Sequence, residues 1–241
     1  GTLSLGDETL AVAGDLGNAG RIDIDDQYGG VGGSVVGVGG TLSNSGALYI
    51  GRGSDQLGSP VSVSVAALAN TGQITMFGGY TSPATATLAV HSDAGMGTAG
   101  VASGSVMLDG QATLVFDAGQ IGTVAAGGLL QFFGLSRIAD ASDVTSNSAL
   151  TGLSSVAGTL SLGDETLAVA GDLGNTGRID IDDQYGGVGS SAVGIAGTLG
   201  NAGALYIGRG ADQLGRSVSV SAITGGTSTG RPLRSMATNV T

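Results

Sequence analysis

Residues 1–64 return at 158–221, an offset of 157, with 54 of the 64 positions identical. Repetition this close means the fold must contain the same local structure twice. A shorter period, of 26, lies inside the long one. It separates Asn18 from Asn44 and Asn44 from Asn70, and a Gly stands two places after each Asn. Leu16, Leu42 and Leu68 keep the same interval, as do the columns Ile22/Leu48/Ile74 and Ile24/Ile50/Met76. Asn175 and Asn201 continue the pattern in the second copy. The long offset is six short ones plus one residue, so the two periods describe one set of stacked units.

Each unit reads as short strands. Ile22 and Ile24 alternate with Asp23 and Asp25, and Ala47–Ile50 and Gln73–Met76 alternate in the same way. Period two is a strand with one buried face. Thr9–Val12, Ser34–Val36 and Val61–Val65 are further candidates, and no helical periodicity is present. Gly and Asn between the strands are expected to supply positive φ at sharp corners. Short strands, sharp corners and a fixed period predict an all-β solenoid of about 26 residues per turn, each turn pairing with the next. Its narrow interior suits a chain with 48 glycines and only 4% aromatic residues. Stacked Asn columns can hydrogen-bond as ladders.

The whole of 1–241 is expected to be a single solenoid. The repeat unit spans 1–157, a second partial copy 158–224, and 225–241 is a divergent tail or last turn. Residues 78–157 keep the register poorly, with Phe116, Phe132 and Phe133 expected to fill a wider part of the coil. At about 26 residues per turn the rod has about nine turns and is roughly 45 Å long. The chain begins at Gly1 without Met and reads as a piece of something longer.

Charge and cysteine narrow the function classes. The net charge is −11, all eight bases are Arg, and Cys is absent. No cationic cluster is available to displace counterions from nucleic-acid phosphates. Anionic membrane surfaces are disfavoured for the same reason, and no apolar run approaches the roughly 18 residues of a membrane span. Thiol chemistry and Cys-ligated zinc are excluded.

The motifs Gly40–Ile50 (GTLSNSGALYI) and Leu68–Met76 (LANTGQITM) resemble the repeat regions of large bacterial surface adhesins, both autotransporter passenger domains and filamentous-haemagglutinin-like exoproteins. The resemblance implies a right-handed parallel β-helix displayed outside the cell. It also implies a non-catalytic role, as a rigid stalk or a multivalent face that contacts host or neighbouring-cell surfaces or glycans, or self-associates. That family shares no catalytic set, so no residue role is carried over.

Candidate chemistry centres on acids. Asp23, Asp25 and Asp26, with their copies Asp180, Asp182 and Asp183, place three carboxylates within four residues. Hard cations want several oxygen ligands, so these six are the candidate calcium ligands. The competing reading is a solvated outer face whose charge blocks edge association. The short period sets Asp26 beside Arg52, Asp183 beside Arg209, Asp23 beside Tyr49 and Asp180 beside Tyr206, all solvent-exposed. His91 is the single histidine and has no Ser or Cys nucleophile motif near it, so it is given no catalytic role. The alternative function is a β-helical polysaccharide lyase or hydrolase using Asp23, Asp25 and Arg52 on one face. The duplication of the acidic cluster argues against a single catalytic cleft.

Overall fold

The computed structural model describes residues 1–26, 32–51, 57–183, 190–208, 217–224 and 234–235, and the side chains of those up to 222. It is a parallel β-solenoid with roughly 26 residues per turn. The first wall stacks ten strands, beginning Thr2–Leu5, Arg21–Ile24, Ala47–Gly51, Gln73–Phe77, Ser105–Asp109, Leu129–Phe133, Thr159–Gly163 and Arg178–Ile181. Two further sheets contain seven strands each. About seven turns are therefore walled on all sides, fewer than the nine expected from length alone.

The turns are not uniform. Thr2 pairs with Arg21, Arg21 with Ala47, Ala47 with Gln73, Gln73 with Ser105, Ser105 with Leu129 and Leu129 with Thr159. The step from Thr2 to Arg21 is the shortest and that from Gln73 to Ser105 the longest, yet six steps carry the chain from Thr2 to its copy Thr159. The second copy repeats the shortest turn between Thr159 and Arg178. Turns of the common period are this minimal turn with an added loop. In the first copy the described chain leaves the first wall after Ile24 and enters the second with the strand that begins at Val35.

Long strands such as Val35–Asn44, Val61–Asn70 and Ala192–Asn201 run along the second wall and turn the corner into the third. The corner is a register shift, for example between Val38 and Thr41. Gly40 sits there because a Cβ would lie 2.2 Å from Asp15 Oδ1 and 2.8 Å from the Asp15 amide.

The core is the set of inward columns. Ile22, Ile24, Leu42, Leu48 and Ile50 are buried, as are Leu173, Ile179, Ile181, Leu205 and Ile207 in the second copy. Leu16 and Leu199, near the two ends of the coil, are only partly buried. Phe116 and Phe132 are fully enclosed in the core, whereas Phe133 is buried but does not belong to that cluster.

The asparagine column is a ladder. Asn18 Nδ2 donates to Asn44 Oδ1 at 2.8 Å, and Asn44 Nδ2 to Asn70 Oδ1 at 2.8 Å. Asn175 donates to Asn201 at 2.7 Å. Each donor amide also reaches a backbone carbonyl of the next rung. The glycine two places on is required by contact rather than by φ. A Cβ on Gly46 would lie 2.1 Å from the Gly20 carbonyl oxygen, and one on Gly72 would lie 2.2 Å from that of Gly46. The expected positive φ is absent at these Asn and Gly positions but holds at other glycines between strands, among them Gly51, Gly110, Gly134 and Gly208. Among non-glycine residues described, the positive φ angles belong to Asp7, Asp25, Asp164 and Asp182.

Candidate functional site

The acidic cluster lies at the corner where the first wall gives way to the added loop, and its carboxylates play different parts. Asp25 is 2% exposed and adopts φ +57°. Its Oδ1 accepts the Asp7 amide of the rung below at 2.9 Å, and its Oδ2 accepts the Ser34 amide at 3.0 Å. The side chain therefore staples the two ends of the loop together and ties them to the previous turn. Asp182 repeats this with the amides of Asp164 and Ser191.

Asp23 and Asp26 share a cation that the period did not suggest. Arg21 Nε lies 2.7 Å from the Asp23 carboxylate, and Nη2 lies 2.8 Å from Asp26 Oδ2. The guanidinium carbon stands 4.1 Å from the centre of the Tyr49 ring, a cation–π stack. Asp23 pairs with Tyr49 in register, as expected. The second copy sets Arg178 Nε 2.6 Å from Asp180, Nη2 3.5 Å from Asp183, and the guanidinium 4.5 Å from the Tyr206 ring. Asp180 likewise pairs with Tyr206. Arg52 and Arg209, the partners expected for Asp26 and Asp183, lie outside the described residues.

Exposure of these acids is corrected. Asp23 and Asp180 are 8% and 5% exposed, because the Arg and Tyr side chains lie over them. Hydrogen bonding to Asp23 raises the Arg21 pKa above its ordinary value, against a lesser opposing effect of burial. Burial raises the Asp180 pKa, with the bond to Arg178 opposing it. The donor set does not fit a calcium ion. Both Asp25 oxygens are engaged by backbone amides, and a guanidinium occupies the space between Asp23 and Asp26. Among the described residues no group of three acidic or histidine side chains converges as a metal site.

No family model, curated protein or solved structure matches this chain. The site is therefore read from its own chemistry.

Two clusters were missed. The first is a cleft of about 390 Å³ beside the strand Arg137–Asp140. There the chain leaves the second wall and makes a short 3₁₀ turn, Ser148–Leu150, before the next rung. Asn147 spans the gap: its Oδ1 accepts the Ile138 amide and its Nδ2 donates to the Thr166 carbonyl. Glu165 is buried at the edge of this gap, against Arg137 Nη1 at 3.1 Å, Asn147 Nδ2 at 3.3 Å and Ser136 Oγ at 3.3 Å. Burial pushes its pKa up to about 7, with Arg137 the largest opposing influence. Its copy Glu8 is exposed, so its sequence surroundings could not have singled it out.

The second missed cluster surrounds His91. The sequence showed no nucleophile motif near it, yet folding brings Ser64 Oγ within 3.0 Å of Nε2 and Asp117 within 3.1 Å of Nδ1. The short period, applied to His91, does arrive at Asp117.

Proposed function

We propose that this chain is a rigid, non-catalytic segment of a long secreted or surface-displayed bacterial protein. It acts as a stalk or as a multivalent adhesive face. The observation that carries this reading is the duplicated Arg–Asp–Asp–Tyr cluster. Both copies lie on one wall, six rungs apart, or roughly 29 Å at the ordinary strand spacing. Arg21 and Arg178 are about one-third exposed, so a planar cation held at fixed height recurs along the rod. Regularly spaced identical groups gain avidity from simultaneous contacts without any single contact being strong. Cell surfaces and their glycans, or a second rod, are the partners that such spacing suits, in an extracellular setting.

Beads coated with the chain, tested for retention on glycan-coated and cell-coated surfaces, examine the adhesive role. Single Arg21→Ala and Arg178→Ala variants should lower retention several-fold, and the double variant by on the order of 10²-fold. Full retention by the double variant removes the adhesive face and leaves the stalk.

The cleft at Glu165 favours one second reading, a polysaccharide hydrolase or lyase. A buried carboxyl poised near neutrality beside an arginine suits general acid–base work. The set of Asp23, Asp25 and Arg52 expected for this chemistry does not serve, since Asp25 is consumed as a staple. Turnover of any member of a polysaccharide panel, abolished by Glu165→Gln, would establish it.

A further inference from the structure

Three residues on successive rungs of the second wall form a constellation that neither the repeat nor the stalk uses. Ser64 lies on Val61–Asn70, His91 on Ala86–Asp93 and Asp117 on Ala112–Ala118. Ser64 faces outward between the buried Val63 and Val65. It pairs in register with Ala89, so His91, two places further along, projects on the same outer side. The next two strands pair Phe116 with Val90, so the same register, continued by one residue, sets Asp117 beside His91 before it shifts at Ala118. Ser64 Oγ is 3.0 Å from His91 Nε2, and the two Asp117 oxygens are 3.1 and 3.2 Å from His91 Nδ1. Side chains of His91 and Asp117 are about half exposed.

We propose that Ser64, His91 and Asp117 form a surface nucleophile–base pair with a positioning carboxylate, which accepts acyl groups from activated esters. Asp117 holds the tautomer with the proton on Nδ1, leaving the Nε2 lone pair directed at the Ser64 hydroxyl. Ser64 Oγ attacks the ester carbonyl carbon while its proton passes to Nε2. Collapse of the tetrahedral adduct breaks the bond to the leaving phenol or thiol, which takes that proton from Nε2. Water, deprotonated in turn by Nε2, then attacks the acyl-Ser64 carbonyl. The acid departs and the hydroxyl is restored.

The surroundings set the substrate class. The paired strand backbones of this wall are engaged in the ladder, so among the described residues of these strands no free pair of amides is left to stabilise the oxyanion. Such donors are worth about 10²–10³ each in rate. The leaving group must therefore carry the negative charge well, as aryl esters and thioesters do. The open wall accepts small acyl groups. The stalk and adhesive roles do not depend on this activity, which if found overturns only the non-catalytic part of that reading.

The full chain incubated with p-nitrophenyl acetate should release p-nitrophenol on the order of 10²-fold faster than Ser64→Ala, the usual gain from a positioned base. His91→Ala should fall to the Ser64→Ala level. Asp117→Asn should lose about tenfold, with most of the loss restored by Asp117→Glu, which a merely structural role would not produce. All of these side chains lie on the surface, so circular dichroism should be unchanged. A fluorophosphonate probe followed by peptide mass mapping provides a second measurement on the unaltered chain and should mark Ser64. Equal release by the chain and by Ser64→Ala, or probe spread over many serines, overturns the proposal.

Discussion

Residues 2–17 and 159–174 are the same sequence in two places. One is the first rung of the coil, and the other lies between the rungs Leu129–Phe133 and Arg178–Ile181. Leu3 is 38% exposed while Leu160 is 1%. Leu5, Leu10 and Leu16 are partly buried, whereas Leu162, Leu167 and Leu173 are enclosed. Glu8 is exposed and Glu165 is 2% exposed. Backbone bonds that stay within the copy recur, as in the amide of Glu8 to Ser34 Oγ and that of Glu165 to Ser191 Oγ. In a solenoid, strand geometry belongs to the local sequence, while burial and ionisation belong to the neighbouring rung.

A charge placed at the paired leucines separates the two copies most strongly. Leu160→Asp would set an unpaired carboxylate in the core and should cost roughly 4 kcal/mol or more. Leu3→Asp, with solvent on one side, should cost less than about 1 kcal/mol. Denaturant midpoints measure both, and similar losses would mean that the neighbouring rung does not decide burial.

The paired glutamates distinguish the two copies through pH. The Glu165 pKa rises from 4.5 to about 7 in the folded chain. A raised carboxyl makes the folded state hold its proton more tightly than the unfolded one. Its contribution to stability is therefore complete below about pH 4.5 and is lost as pH rises through about 7. At about 1.36 kcal/mol per pKa unit the swing is at most about 3 kcal/mol. Stability of Glu165→Gln relative to the parent should rise by that order across this window. Glu8→Gln, at the exposed copy of the same position, is the reference for the measurement. A flat Glu165→Gln difference would show that Arg137 and Asn147 keep the carboxylate ionised.

Much of the fold was legible because stacking repeats residue identity. The Leu, Ile and Asn columns and the Asp23–Tyr49 pairing are all consequences of like rungs lying on like. Three features were not legible. The period directs attention from each rung to the next, so it offered Arg52 to Asp26, whereas Arg21 on the same strand reaches both Asp23 and Asp26. The role of Asp25 depends on the added loop, which a mean period conceals. The underlying turn, as between Thr2 and Arg21, is shorter than that period and has no such loop. Glu165 could not be told from Glu8 in any reading of local sequence, since the residues that bury it come from a segment with no counterpart before Glu8.

The asparagine ladder yields a smaller contrast. Asn44 accepts from Asn18 and donates to Asn70 and the Gln73 carbonyl, while Asn18 heads the ladder. Asn44→Ala strands polar groups above and below and should cost about 2–3 kcal/mol. Asn18→Ala removes the bonds to Asn44 Oδ1, to the Ala47 carbonyl and from the Gly20 amide, but at the more open end of the ladder water can replace part of them, and it should cost about 1–2 kcal/mol. Thermal unfolding that ranks them in the reverse order would mean that the end of the ladder is held as firmly as its middle.

The smallest effect is expected where the two copies have the same neighbours. Arg21 lies on a strand flanked by Thr2–Leu5 and Ala47–Gly51, and Arg178 on one flanked by the corresponding Thr159–Gly163 and Ala204–Ile207. If neighbours govern energetics, Arg→Lys should cost nearly the same at both positions. Lysine keeps the charge but loses the fork that spans two carboxylates and the planar face that stacks on tyrosine. Both arginines are about one-third exposed, so solvent screens the loss to roughly 0.5–1 kcal/mol. Arg178 stands further from Asp183 than Arg21 does from Asp26, 3.5 Å against 2.8 Å, and further from its tyrosine ring. The second copy should therefore lose slightly less. Chemical denaturation of the two single variants, compared at low and high salt, measures the difference. A cost at Arg178 exceeding that at Arg21 by more than about 1 kcal/mol would show that something beyond the adjacent rungs sets the energetics of the corner.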